Sequence, residues 1–399
     1  MRNDIKKLLG LQNIWVDSWE IQDEKVIVKA RSPRTNCMCI HCANSVSRVH
    51  GVKFRNILHS VWQSRKVVLH LKVRRFYCNR CKKAFTEYIP GIGRKRTTEN
   101  FRNILIKEIS RKSLSHVKQN NGISASTLYS VLHENYERFK NIDWEEQGKK
   151  FVLGIDEHSS RGHDLVLTAT NVTKKKLLMV GRDDRLSTLS KFLRHADKKR
   201  VSEVCIDMKM GYRNTIEKEL PGVKITVDKF HVIAYANKNM DEVRSVFVSK
   251  NHGFKIRRLL FKGKEKLSEK ERERLENLFK HLEKFPSLYQ AYFIKEKLRD
   301  FYRLRNKKEA GRKLDNIIMF CENSHSRYMK SFGKTLFRWK ENILNYFDNY
   351  STNAFTEGVH TKIKMIKRIS FGFRNINNYI AKVTLAFLPF LYLIQHTIC

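Results

Sequence analysis

The 399-residue sequence predicts a multidomain α/β protein, and three observations carry that prediction. Two Cys-x-x-Cys pairs stand in a strand-rich N-terminal region. Three β-branched segments followed by alternating helix and strand begin at Lys150, the pattern of a mixed sheet with right-handed crossovers. From about 232 to 345 the strand signal vanishes, and apolar residues recur at helical spacing among charges. Hydrophobic residues at 41 % and aromatics at 11 % exclude wholesale disorder, and five prolines exclude collagen-like or Pro-rich scaffolds. Eighty Lys and Arg against 40 Asp and Glu leave a formal charge of +40, with a pI near 10.0. Such a balance points to a polyanionic partner, nucleic acid before acidic membrane, although a ribosome-like basic protein shares it.

The N-terminal stretch MRNDIKKLLGLQNIWVDSWE has no uninterrupted apolar core and no small-residue cleavage site, so no secretory signal is expected. Val383 to Ile394 is the longest apolar run; interrupted by Pro389, it is too short to span a bilayer and reads as a buried helix. A cytoplasmic location follows, and the eight cysteines are then expected as thiols or metal ligands.

In chain order, residues 1–92 read as a zinc-binding module. Val26-Ile27-Val28 and Lys66 to Val73 are strand-like, and Pro90-Gly91-Ile92-Gly93 closes the region as a turn. Cys39-Ile-His-Cys42 and Cys78-Asn-Arg-Cys81 present four thiolates, which Zn²⁺ binds tetrahedrally. The 35 intervening residues (43–77) exceed the common zinc-ribbon spacing, and a hairpin between the pairs would bring them together. Cys37 and His41 are spare donors nearby, read as bystanders to a closed, structural site.

Residues 93–147 read as a helix-turn-helix. Arg94-Lys95-Arg96 precedes a helix start at Thr97-Thr98-Glu99, and Phe101, Ile104, Leu105 and Ile109 follow at helical spacing. Asn120 to Ser124 forms the turn. Ser124, Ser126 and Thr127 open the next helix with hydroxyls suited to capping and to phosphate contact. Eight Lys or Arg against two Glu between Arg94 and Lys118 favour DNA over a plain helical linker.

The next region, 148–231, holds the mixed sheet. Strands Phe151–Ile155, Leu165–Thr170 and Lys176–Val180 precede a helix over Ser187–Ala196. Strand Val204–Ile206, a helix over Tyr212–Leu220 and strand Ile225–Val227 complete it. Asp156, Asp207 and Asp228 each follow a strand. If the strands of Asp156 and Asp207 are neighbours, both carboxylates meet at one sheet edge, where their repulsion calls for divalent metal; Asp228 competes for a place there. Residues 232–348 read as an α-helical insertion, and 349–399 as C-terminal helices of the same core. In the last segment Glu357 is the single carboxylate among many cations. Its helix is amphipathic, with Val359, Ile363 and Ile366 on one side and Lys362, Lys364, Lys367 and Arg368 largely elsewhere.

Taken in series, these residues resemble a DDE transposase of the insertion-sequence ISL-three family. The matches are the cysteine pairs with Val73-Arg74-Arg75-Phe76-Tyr77-Cys78, the helix-turn-helix, Gly154-Ile155-Asp156-Glu157, Val227-Asp228-Lys229-Phe230-His231-Val232 and Thr352-Asn353-Ala354-Phe355-Thr356-Glu357-Gly358. Lys362 to Arg368 and Phe371-Gly372-Phe373-Arg374 extend the last match, and the likeness covers about 35–390. His360 stands where an Asn is more usual. The resemblance implies an RNase H-like catalytic core interrupted by a helical insertion, with Asp156, Asp207 and Glu357 as the catalytic acids holding two Mg²⁺ (or Mn²⁺) ions, and Asp228 as an additional acid. It implies a bacterial enzyme that binds terminal inverted repeats, cleaves DNA phosphodiester bonds and joins the 3′ ends to target DNA. The partners it implies are double-stranded DNA and further copies of the chain, as a homodimer or higher oligomer on DNA, with no membrane. Arg94, Lys95, Arg96, Ser124, Ser126, Thr127, Lys364, Lys367 and Arg368 are the expected DNA contacts. A non-enzymatic zinc and helix-turn-helix regulator would explain charge, cysteines and turn, but not three ordered acids. An RNA-binding protein would lead one to expect an aromatic stacking signature that is missing.

Overall fold

The computed structural model describes residues 2–11, 13–247, 250–281 and 286–388. Its N-terminal elements are α1 (Arg2–Leu8), β1 (Trp15–Ile21), β2 (Lys25–Arg31), β3 (Cys37–Met38), β4 (Ser45–Val46), β5 (Val49–Trp62), β6 (Arg65–Cys78) and β7 (Lys83–Thr86). Three helices follow, α2 (Glu99–Arg111), α3 (Leu114–Asn121) and α4 (Ala125–Phe139). Then come β8 (Phe151–Arg161), β9 (Asp164–Asn171), β10 (Lys176–Val180), α5 (Leu186–His195), β11 (Val201–Ile206), α6 (Met210–Glu219) and β12 (Lys224–Val227). A helical tract holds α7 (Lys229–Phe247), α8 (Lys250–Phe261), α9 (Glu269–His281), α10 (Pro286–Phe301), α11 (Lys307–Glu322), α12 (Arg327–Arg338), α13 (Lys340–Leu344) and α14 (Tyr346–Asn349). The chain ends through α15 (Ala354–Ile369) and α16 (Ile376–Phe387). It divides into two compact units, one of Met1–Asn141 with Ile363–Cys399 and one of Ile142–Lys362.

In the first unit, β1-β2-β6-β5 form a sheet with β7 added to β6. Val67, Leu69, Leu71 and Val73 are buried at the two-residue period of a strand with one face inward. Each such side chain contributes about 1.5–3 kcal/mol of burial. The long β5–β6 hairpin turns at Gln63-Ser64, both at positive φ, and it spans the gap between the two cysteine pairs as the spacing required. Thr98, Ser113 and Ser124 cap α2, α3 and α4, their hydroxyls accepting from Phe101 N, His116 N and Thr127 N. Gly122 carries the left-handed turn between α3 and α4 at φ +55. Phe101, Leu105 and Ile109 face the core; Ile104 is exposed.

The C-terminal segment 349–399 divides: residues up to Lys362 stay with the second unit and those from Ile363 join the first. Expected among the C-terminal helices of the core of Asp156 and Asp207, α16 instead buries Ala381 and Leu385 with Phe101, Leu128 and Leu132 of the three-helix cluster. Lys382, also on α16, donates its Nζ to Lys112 O at 2.7 Å. The apolar run Val383–Ile394 is helical to Phe387; its remainder past Leu388 lies outside the described residues.

In the second unit the strand order is β10-β9-β8-β11-β12. β10/β9 and β9/β8 pair antiparallel, β8/β11 and β11/β12 parallel, and α5 and α6 supply crossovers. Leu153, Ile155, Val204, Ile206, Leu189, Leu193 and Ile216 form the adjoining core. Among the described residues, 229–349 contains helices and no strand, as the sequence leads one to expect. Asn342 and Asn345 tie this tract to the edge strand, both donating side-chain N–H to Ile225 O at 3.1 and 2.9 Å. Beside it, buried Glu203 receives Thr226 Oγ1 at 2.6 Å and Asn349 Nδ2 at 2.7 Å.

Candidate active site and metal centres

The sheet of the second unit places its acids by register. Asp207 directly follows β11, and Asp228 directly follows β12, its N–H extending the parallel ladder to Ile206 O at 3.0 Å. Asp156 was read as ending its strand. It lies within β8, which continues to Arg161 because β9 pairs with it along that length, Asp156 opposite Thr168. The parallel partner β11, however, pairs with β8 only as far as Gly154. Asp156 is therefore the second residue beyond the end of that ladder, beside Asp207.

Asp228 caps α7. Its Oδ1 accepts from Phe230 N at 3.3 Å, and its carbonyl accepts from His231 N and Val232 N. The three-residue step from Asp228 to His231 puts both on one face of the first turn. His231 Nε2 lies 2.8 Å from Asp207 Oδ1. Two ligand sets result, Asp156 with Asp207 and His231, and Asp228 with His231 and Glu357, the donor atoms of each lying within 4.8 Å of one another. His231 belongs to both.

Glu357 reaches this place on the first turn of α15, and a buried polar seam sets that helix on the sheet. Asn353 Nδ2 donates to Ile155 O at 3.1 Å, and the Thr356 and Thr170 hydroxyls meet at 2.7 Å, all three side chains fully buried. Gly154 makes this approach possible. A Cβ there would stand 2.7 Å from Asn353 Oδ1, 2.7 Å from Thr356 Oγ1 and 2.8 Å from Thr170 Oγ1. One turn on, His360 Nδ1 lies 3.4 Å from Asp156 Oδ2 and its ring packs on His158.

The electrostatics are those of crowded acids. Burial first, and the charge of Asp207 second, push Asp156 up to about 7. Burial pushes Asp228 up to about 6, against the pull of the Phe230 N–H, with Glu357 and Asp207 adding to the rise. Burial works against a charged His231, but the hydrogen bond and charge of Asp207, with Asp156 and Asp228, raise its pKa above the usual value. Asp228 Oδ2 is buried without a hydrogen-bond partner. A carboxylate oxygen so placed, among acids that oppose one another's ionisation, fits a hard divalent cation. At the rim, Glu157 holds both the Lys209 ammonium and the Tyr212 hydroxyl.

In the first unit Cys39, Cys42, Cys78 and Cys81 form one cluster, their sulfurs within 4.8 Å of one another. Cys39–Cys81 and Cys42–Cys78 are both 3.6 Å apart. Four thiolates at about 2.3 Å from a tetrahedral zinc lie about 3.8 Å apart, so the cluster fits that ion. Backbone N–H groups of Cys81 and Arg80 hold the Cys78 thiol down at about 6, toward the thiolate that a metal needs. Cys37 and His41 stand outside the four-sulfur set.

The expected DNA contacts lie on exposed ground for the most part. Arg94, Arg96, Ser124, Ser126, Lys364 and Arg368 are exposed, and Thr127 and Lys367 are half-buried. Lys95 is exposed too, but pairs with Glu134. His231 was missed as a site residue; its signal was present in the Asp-x-x-His spacing after a strand.

Comparison with known proteins agrees with this arrangement. A family model described as a transposase, of the DDE type of ISL-three elements, matches residues 153–383, and a zinc-finger model of transposases of the IS204, IS1001, IS1096 and IS1165 elements matches 36–81. The transposase for insertion sequence element IS1001 of Bordetella parapertussis is 22 % identical over 365 residues, 88 % of each chain. The transposase for insertion sequence element IS1557 of Mycobacterium tuberculosis is 24 % identical over 293 residues, 65 % of this chain and 63 % of its own.

Proposed function

The chain belongs to the ISL-three family of DDE transposases, and on that premise we propose that it binds the terminal inverted repeats of an insertion sequence, cleaves DNA phosphodiester bonds there and joins the 3′ ends to target DNA. The observation that carries this reading is the gathering of four acids from three parallel-paired strands and a late helix around His231. The strand order β10-β9-β8-β11-β12, antiparallel on one side and parallel on the other, supports an RNase H-like core.

Asp156, Asp207, Asp228, His231 and Glu357 would hold the divalent metal, magnesium or manganese. When bound, such ions lower the pKa of a water or hydroxyl nucleophile and neutralise charge on the leaving oxygen. The protein's own part is positional. The sheet fixes Asp156 and Asp207 side by side, His231 orients the Asp207 carboxylate, and the Asn353–Thr356 seam holds Glu357 at the same pocket. The three-helix cluster serves as the helix-turn-helix, with α4 the groove-reading helix and the Ser124, Ser126 and Thr127 hydroxyls at its start meeting phosphate or base edges. Exposed Lys364 and Arg368, with Lys367, add phosphate contacts along α15. Zinc in the four-cysteine cluster orders the N-terminal module.

Asp156→Asn tests the assignment. It removes a charged oxygen donor without changing size, so it should abolish Mg²⁺-dependent nicking of end DNA while affinity for that DNA persists. A purified variant that nicks at the wild-type rate would overturn the proposal.

A further inference from the structure

We propose a second DNA-contact surface, apart from the helix-turn-helix: the basic groove between the long hairpin and the 86–94 segment of the first unit takes one sugar-phosphate strand of duplex DNA. The inference rests on the DNA-binding reading above and adds where, and by which cations, the backbone is held.

The groove is a cavity of about 970 Å³, open to solvent, lined by Lys53, Arg55, Arg75 and Arg94 and by exposed Tyr88 and Ile40. Lys53, Arg75 and Arg94 pair with no carboxylate among the described residues. The one acid in the lining, Glu87, is buried and consumed by Arg74, at 2.7 Å from its Nη2 and 2.6 Å from its backbone N. By contrast, the cavity beside the start of α4 has its Lys95 and Arg102 both tied to Glu134. Four cations lining one cavity whose single acid is already engaged leave uncompensated positive charge there, which suits a polyanion.

The groove is also built to hold its shape. The Arg55 guanidinium donates to Gly93 O at 3.0 Å and to Lys95 O at 2.8 Å, which pins the backbone on either side of Arg94 to β5. The zinc-ribbon pair Cys39–Cys42 carries Ile40 on its loop at 65 % exposure, and Tyr88 is 62 % exposed. Exposed apolar side chains among cations suit deoxyribose lying beside phosphates. Arg94 lines this groove while Lys95 and Arg96 line the cavity at α4, so the Arg94-Lys95-Arg96 run is the wall shared by the two.

The test measures salt dependence of the full-length, zinc-loaded protein on a duplex of about 40 base pairs taken from the DNA bordering the gene. Each phosphate neutralised contributes about 0.9 to the slope of log K against log salt. The variant Lys53→Ala/Arg75→Ala/Arg94→Ala should lower that slope by about 2.7. Between 50 and 200 mM salt it should lose about 40-fold less affinity than the wild type loses. Lys53→Arg/Arg75→Lys/Arg94→Lys should keep the wild-type slope, which separates lost charge from a misfolded groove. A charge-matched control on α9, Lys270→Ala/Arg272→Ala/Arg274→Ala, should move the slope little. The groove assignment is overturned if the triple alanine variant keeps the wild-type slope, or if the α9 control matches its loss. A wild type that shows no salt-dependent affinity for any duplex would instead sink the DNA-binding reading itself.

Discussion

Replacing Gly154 by Ala adds one methyl group at the point where α15 meets the sheet. The new Cβ would stand 2.7, 2.7 and 2.8 Å from Asn353 Oδ1, Thr356 Oγ1 and Thr170 Oγ1, where ordinary contact begins near 3.4 Å. Each of these atoms must retreat by about 0.7 Å, and none ends a long flexible side chain. Overpacking of this kind costs about 1–3 kcal/mol. Breaking the Thr170–Thr356 bond in a fully buried seam adds about 1–3 kcal/mol per unsatisfied group. Relief comes most readily by lifting the start of α15, and Glu357 is the residue after Thr356. A misplacement of about 1 Å in a metal-holding acid can cost about 100-fold in rate. The expected result is a Tm several degrees lower, unchanged affinity for end DNA, and Mg²⁺-dependent nicking down about 100-fold. Gly358→Ala, one residue past Glu357, is the control: its Cβ meets nothing within 4 Å, so helix propensity alone should stabilise it by about 0.5–1 kcal/mol. Wild-type nicking and Tm in Gly154→Ala would refute the idea that this seam sets the position of Glu357.

Four further outcomes follow from the same contacts. His231→Ala should weaken Mg²⁺-dependent nicking more than tenfold, and raising Mg²⁺ should recover part of it, since the two ligand sets lose their shared member; a titration of rate against metal reads this. Asp228→Asn should behave like Asp156→Asn in the nicking assay, whereas a variant with wild-type cleavage would make Asp228 a plain helix cap. Cys78→Ser should lower bound zinc from one ion per chain, measured by mass spectrometry, and cost several degrees of Tm in the first unit. His59 supplies a pH dependence. Its Nε2–H donates to Leu9 O at 2.7 Å and its Nδ1 accepts from the Thr98 hydroxyl at 3.0 Å, while burial lowers its pKa. Below about 6.5 the unfolded chain takes up a proton that the folded one resists, so stability is full above that pH and falls as pH drops through it. Thermal melts between pH 7.5 and 5.0 should show a shallower decline for His59→Gln.

Much of the arrangement was legible because the signals were local. The two Cys-x-x-Cys pairs, the Thr98 and Ser124 caps, the β-branched runs and the acids at the ends of β11 and β12 each need only a few neighbouring residues to read. What escaped depends on distant partners. β8 runs on through Asp156 because β9 pairs with it to Arg161, and no local pattern reports a partner strand. The break between α2 and α3 rests on two extended residues, Lys112 and Ser113, the second of which caps α3. α16 is apolar on a face that suits either unit, and only the packing of Ala381 and Leu385 decides. Gly154, Asn353 and Thr356 are unremarkable separately; their meaning is a contact across about 200 residues of chain.

That separation also explains why a helical tract can lie inside the site's sequence without disturbing it. β12 hands the chain to α7 through Asp228, whose carboxylate both caps the helix and faces the other acids, so the exit from the sheet is itself part of the site. The return is fixed in the same way: Asn342 and Asn345 bind β12 through Ile225 O, and Asn349 binds the Glu203 carboxylate of β11, before α15 begins. Both junctions are held by polar bonds to strands that already carry an acid. Changes of length between them, in the α8–α9 stretch, leave those bonds in place, whereas a single methyl at Gly154 does not. Geometry at the acids thus depends on the ends of the tract rather than on its extent, and shortening α9 should leave metal-dependent nicking closer to wild type than any substitution in the Asn353–Thr356 seam.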